Sequence, residues 1–234
     1  MKPILIVKLG STMPSLAKTH GDFEDWIEAR LGLRPGQVAA VEPQAAPLPE
    51  PRSFSGVILT GSHSMVTDHE AWSERTARWL PTVMEARTPL LGICYGHQLV
   101  AYALGGEVGP NPRGREYGTV EIVLRDEARA DPMFAGLPAK ILAHASHAQS
   151  VLRLPPGVKW LASSVRDPHH AYAVGRSTWC VQFHPEFDEL TMKAYVDKCA
   201  DELRAQGDDP TQLRNSTAET PHAEAILRRF AALV

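Results

Sequence analysis

Residues 89–100 read Pro-Leu-Leu-Gly-Ile-Cys-Tyr-Gly-His-Gln-Leu-Val, a short apolar run that breaks at Cys94 into a glycine-containing turn. The pattern predicts a buried strand over 90–93 and a short helix over 97–104, capped by Gly105-Gly106. A thiol at such a junction is pushed outward by the sharp turn and lies near a helix N-terminus, whose backbone N–H groups favour an anion. A free thiol has a pKa of ~8.5, and this setting lowers it. Gly92 and Gly96 supply the tight backbone the turn requires. A lone cysteine is usually no more than a small buried hydrophobe. Two flanking glycines on a strand-to-helix boundary favour the nucleophile instead.

About ninety residues on, Val181-Gln182-Phe183-His184-Pro185-Glu186 is a second apolar run, ending in an imidazole and a carboxylate. In extended backbone, residues i and i+2 project to the same side, and Pro185 biases His184 to that geometry. Glu186 can then orient the His184 ring while the other ring nitrogen faces Cys94, the arrangement nucleophilic acyl transfer needs. Alone, His-Pro-Glu would read as a surface turn. Gly61 ends a strand over 56–60 whose tip should lie beside that of the Cys94 strand. Its backbone N–H and that of Tyr95 are the candidate donors to an oxyanion.

Strands at 4–7, 38–41 and 56–60 alternate with helices at 22–31 and 72–86, the latter expected to kink or break at Pro81. From 107 to 182 short strands follow one another at 119–124, 141–143, 149–152, 158–162, 170–174 and 179–183. A helix over 190–203, a loose polar stretch over 206–220 and an amphipathic helix over 221–233 close the chain. The fold class this implies is α/β: a three-layer, mostly parallel sheet with helices on both faces and an antiparallel extension. Four prolines in residues 43–51 indicate a surface loop within one domain, with a linker as the alternative.

At 234 residues and 44% hydrophobic, the chain fits one compact domain. A net charge of −3 with scattered Lys and Arg argues against nucleic acid. Three cysteines without a CxxC pair favour a reducing compartment. The N-terminal apolar run is too short for a signal peptide, and no run approaches a membrane span. A cytoplasmic protein is expected, with no membrane contact. His63, His144, His147, His169 and His170 lack metal-ligand spacing, and phosphate-binding glycine loops are missing, so no metal and no cofactor are expected. His147 is the one placed near the pocket.

These motifs resemble those of the class I, triad-type glutamine amidotransferases, whose fold is flavodoxin-like. Gly92-Ile93-Cys94-Tyr95-Gly96-His97-Gln98 looks like their nucleophile elbow and Val181–Glu186 like their second motif, over roughly residues 4 to 204. Gly105–Val108, Arg115–Gly118 and Ala145–His147 are similar to the amidotransferase domain of GMP synthase. The resemblance implies a class I amidotransferase domain over 1–204, with 205–234 a polar stretch and C-terminal helix packed on it. It further implies that Cys94 attacks the glutamine side-chain amide to give a γ-glutamyl thioester, His184 acts as base and then acid, and Glu186 orients it. Gly61 and Tyr95 become oxyanion donors, and Gln98, Ser62 and His147 the substrate-binding candidates. The family's oxyanion loop is commonly Gly-Gly-Pro, whereas this chain has Gly61-Ser62-His63.

Three functions are compatible with this reading. A glutaminase subunit would pass ammonia to a separate synthetase subunit, since about thirty residues after the last core helix are too few for an amination domain. A stand-alone hydrolase would cut γ-glutamyl peptides or γ-glutamyl amines by the same thioester chemistry. A non-catalytic regulatory or binding module is the third reading, disfavoured by the presence of all three triad residues.

Overall fold

The buried runs of the first half lie side by side in the sheet. The computed structural model describes residues 2–234; Met1, where the expected 1–204 domain begins, lies outside them. β1 (Ile4–Val7), β2 (Val38–Val41), β3 (Gly56–Leu59), β4 (Leu90–Ile93) and β11 (Thr178–Val181) form a parallel block in the order β2-β1-β3-β4-β11. β10 (Ala171–Val174), β9 (Lys159–Ser163), β6 (Glu116–Leu124) and β7 (Lys140–His147) continue the same nine-stranded sheet in antiparallel pairing. This is the expected α/β sheet with its antiparallel extension.

Alternation along the strands divides the core in two. Ile4, Ile6, Ile58, Leu91 and Ile93 face one layer, with Ile27 of α2 (Phe23–Leu31) and Phe230 of α8 (Pro221–Leu233). Leu5, Val7, Val57, Leu59 and Leu90 face the other, with Leu80 of α3 (Ala71–Glu85) and Leu99 of α4 (Tyr95–Ala103). Both faces of the parallel strands are therefore covered, which is why they read as continuous apolar runs.

Several elements depart from expectation. α3 runs unbroken through Pro81: the lost N–H leaves the Ala77 carbonyl without its helical donor, but Trp72, Thr76, Leu80 and Val83 anchor one face of the helix in the core. α1 (Pro14–His20) and a separate two-stranded sheet of β5 (Glu107–Pro110) with β8 (Gln149–Arg153) were not anticipated. The helix expected over 190–203 is two, α5 (Glu189–Lys198) and α6 (Ala200–Gln206), hinged at Cys199. The break keeps Tyr195 and Leu203 in one cluster with Phe187 while the Cys199 thiol meets the Tyr117 hydroxyl.

The stretch expected to be loose is tied down. α7 (Pro210–Asn215) is capped by Asp209, and Arg166 grips Asp208 through Nη2 and Nη1 at 2.7 and 3.1 Å. The proline-rich segment is a loop held by Trp79 Nε1 on the Pro49 carbonyl. Among the described residues no helix is long and apolar enough to cross a membrane.

Candidate active site

Register alone brings the two distant motifs together. β4 lies between β3 and β11, and Ile93 is opposite Val181, so the chain leaves all three strands at the same sheet edge. Cys94 N–H donates to the Val181 carbonyl at 2.9 Å, fixing the nucleophile's strand beside the segment that carries His184. Cys94 adopts φ 50°, ψ −101°, a conformation rarely open to a side chain, and α4 starts at the next residue. Cys94 is 5% exposed and lines a cleft of about 270 Å³. The flanking glycines serve a different end from the one expected. A Cβ at Gly96 would stand 2.8 Å from the Leu59 carbonyl oxygen, and one at Gly92 2.8 Å from the Gly96 oxygen. They give room for close approach, while the strained torsion falls on Cys94 itself.

His184 Nδ1 donates to Glu186 Oε1 at 2.7 Å, and the ring shares the cleft with Cys94, which acts on it electrostatically, while the Cys94 thiol lies 3.9 Å from the Ser146 carbonyl. Its main-chain N–H reaches the His144 carbonyl at 2.8 Å, and its ring stacks on Phe187 at 4.1 Å, with Phe23 beside both rings at 6.2 and 6.3 Å. Burial opposes charge on the imidazole, but Glu186 and the Cys94 sulfur outweigh it and push its pKa up to about 10. The arrangement favours the imidazolium form of His184. Phe23 is set in place by the α2 cap: Asp22 accepts from Thr12 and Phe23 N–H and pairs with Lys8 at 3.0 Å.

Gly61 packs against both groups; a Cβ there would lie 3.0 Å from His184 Cε1 and 3.7 Å from Cys94 Cβ. The Tyr95 N–H belongs to the first turn of α4, where amides lack intrahelical acceptors. Its side chain points elsewhere, to Ser73 Oγ at 2.7 Å. Gln98 and Ser62 line the cleft. Gln98 Nε2 is engaged by the Gln149 carbonyl (2.8 Å) and Gln182 Oε1 (2.9 Å), leaving Oε1 as its group for a ligand. Ser62 Oγ accepts from Ser64 N–H at 3.1 Å.

His147 also lines the cleft, but both ring nitrogens are engaged, by the Gln149 carbonyl at 2.9 Å and Glu116 Oε2 at 3.1 Å. Its ring therefore builds the wall rather than offering a free donor or acceptor. Behind it Glu116 Oε2 also takes His170 Nε2 at 2.7 Å, and Oε1 accepts from Ser164 at 2.7 Å. Burial would raise the Glu116 pKa, yet the two histidines hold it well below the carboxylate range; the His147 pKa is raised, Glu116 and Asp167 overcoming burial.

Glu116, His147 and His170 place three potential metal ligands within 4.8 Å, a grouping the local spacing of the histidines did not suggest. Their separations of 2.7 and 3.1 Å are those of shared protons, and a zinc ion needs ~2.0–2.2 Å to each ligand. A buried hydrogen-bonded charge network describes them better.

Sequence reasoning missed Glu116 and His170 because they meet His147 only through the sheet. It also missed the aromatic wall of Phe23, Phe187 and Tyr195, whose residues look like ordinary core. His63 stacks on Tyr195 at 5.9 Å in the loop that departs from Gly-Gly-Pro.

Comparison with known proteins bears on the family and the fold. The chain is 42% identical over 135 residues to a glutamine-hydrolysing GMP synthase of Thermomicrobium roseum, aligning with 57% of this chain but only 24% of that protein. It is 35% identical over 173 residues to one subunit of the glutamine-hydrolysing GMP synthase of Ignicoccus hospitalis, covering 71% of this chain and 87% of the relative. A glutamine amidotransferase structure from Methylobacillus flagellatus shares the fold, with a TM-score of 0.77 and 20% identity over 100% of this chain and 92% of that one. The family described as "Glutamine amidotransferase class-I" matches residues 20–202, and the chain belongs to that family.

Proposed function

We propose that this protein hydrolyses the side-chain amide of glutamine through Cys94 and passes the ammonia to a separate synthetase subunit. The observation that carries the reading is the convergence of Cys94 and the Glu186-bound His184 ring around Gly61 in one cleft. The thiolate attacks the amide carbon, forming the C–S bond. Negative charge develops on the carbonyl oxygen, for which the N–H groups of Gly61 and Tyr95 are the donors. Collapse breaks the C–N bond, and the His184 imidazolium gives its proton to the departing nitrogen. Water then attacks the thioester with His184 as base, and glutamate leaves.

Gln98 Oε1 and Ser62, which line the cleft, are assigned to the glutamyl group, with His147 shaping the wall. Delivery to a partner is supported by relatives named as a subunit of GMP synthase. Free ammonia is mostly protonated in water, so a docked acceptor keeps it usable. The test is incubation of the purified protein with glutamine and with a glutamine-mimicking electrophile. Equimolar glutamate and ammonia, with label on Cys94, are expected. A folded protein that releases neither and carries no label on Cys94 would refute the reading.

A further inference from the structure

Gly61 combines two properties that oppose each other. A Cβ there would stand 3.0 Å from His184 Cε1, so the position is closed to a side chain. Glycine is also the residue whose backbone torsions are least restricted. The donor assigned to the oxyanion is the N–H of this same residue, and a preorganised donor needs its torsions fixed before the substrate arrives. The fixing falls to Thr60, the fully buried residue just beyond the end of β3.

Thr60 acts through both of its oxygens. Its main-chain carbonyl accepts from Gly96 N–H at 3.2 Å. The peptide that carries the Gly61 N–H is thereby tied to the first turn of α4, one residue from the Tyr95 amide. The Thr60 hydroxyl donates to the Gly61 carbonyl at 2.9 Å, so the peptide that follows Gly61 is tied as well. With both flanking peptide planes held, neither torsion of Gly61 is free. A hydroxyl has a single proton to give, and here its acceptor role is filled by Leu9 N–H at 2.9 Å, which leaves that proton for the Gly61 carbonyl.

The other side of the clamp is anchored in turn. Gln44 Nε2 donates to the Leu9 carbonyl at 2.9 Å, and Lys8 N–H donates to the Val41 carbonyl at 2.9 Å, so the segment after β1 is bonded on both sides of the Leu9 N–H. A Cβ at Gly10 would stand 2.9 Å from Ser62 Cα, so the same segment bears directly on the residue after Gly61.

We infer that Thr60 is a positioning residue of the glutamine-hydrolysing site: its hydroxyl holds the Gly61 main chain in the conformation that presents the oxyanion donor. This rests on the thioester chemistry proposed above, with Gly61 and Tyr95 as the donors. Thr60 acts through Gly61, at the step in which negative charge builds on the carbonyl oxygen. An interaction realised only in the transition state lowers kcat and leaves KM in place.

The experiment compares wild-type protein with Thr60→Val, which keeps the shape and removes the hydroxyl, and with Thr60→Ser, which restores it. Glutamate release is counted per Cys94 labelled to completion by a glutamine-mimicking electrophile, so unfolded protein is left out of the rate. Removing an oxyanion donor outright costs about 10²–10³-fold in kcat; misplacing one in Thr60→Val should cost about 30-fold, with KM within about threefold of wild type. Thr60→Ser should return kcat to within about threefold of wild type. A Thr60→Val kcat equal to wild type overturns the assignment. So does a change confined to KM, or a Thr60→Ser as slow as Thr60→Val. Should Thr60→Val not fold, Thr60→Ala is read in its place against the same expectation. Each of these results leaves the thioester chemistry standing, since wild-type protein still turns over. No release by wild-type protein, with Cys94 unlabelled, overturns both.

Discussion

In the parallel half of the sheet, β1, β3, β4 and β11 are buried from end to end, and every residue of those strands is in the core. In the antiparallel half the same depth of burial is given to Glu116, His147, Asp167 and His170. Apolar packing sets the first half, and it does so by area: each buried Leu, Ile or Val contributes about 1.5–3 kcal/mol without needing a partner. The second half adds to its own apolar core, Ile122, Ile141 and Leu161 among it, a hydrogen-bonded network in which a buried charge is tolerable only while its neighbours are in place. Nucleophile and base stand on the first half. The far wall of the cleft hangs on the second.

The difference can be broken by substitution. Cys94→Ala should cut glutamine hydrolysis by at least about 10⁴-fold. Stability in denaturant should shift by no more than about 1 kcal/mol, because the surrounding strands pack without the sulfur. A large loss of stability would mean that the elbow, too, depends on its chemistry.

Glu186→Gln should lower kcat by about 10³-fold, since the amide favours the wrong tautomer of His184. The pH profile sharpens this. A histidine with a raised folded pKa stabilises the native state fully below the unfolded value of about 6.5 and loses that contribution as pH rises through its folded value. For His184 the loss therefore falls near pH 10, and hydrolysis should decline only there. Glu186→Gln should move the alkaline limb toward neutrality; an unmoved limb would remove Glu186 from the account.

Glu116→Ala should cost about 3 kcal/mol, as it strands the charge on His147 and the buried His170 imidazole. Activity per folded molecule should fall far less than for the triad variants. Glu116 has a depressed pKa, so its contribution is present above about 4.5 and is lost as pH falls through the lowered value. Urea unfolding below pH 5 should accordingly show a shallower pH dependence in the variant. Equal slopes would show that the network carries no net charge coupling.

How much could be read from the sequence follows the same division. β1, β2 and β4 match their expected limits, because unbroken runs such as Leu90–Ile93 leave little else to be. Cys94 and His184 were legible for the added reason that each stands at the end of such a run. Glu116, His147 and His170 were not, being separated by 31 and 54 residues and joined only through strand pairing. α1 went unseen because Leu16 is its one buried residue, and β5 because Val108 is its one strong hydrophobe. The hinge at Cys199 leaves no mark in helical periodicity, since the same face continues into α6.

The torsion at Cys94 carries an evolutionary consequence. Glycine would occupy φ 50° at ease, whereas cysteine holds it at a cost of about 1–3 kcal/mol. A library of variants sorted only for heat resistance should therefore drift toward Gly at position 94, gaining robustness while going silent as an enzyme. Keeping sulfur at that corner requires continual selection for turnover, and the fold by itself would let it go.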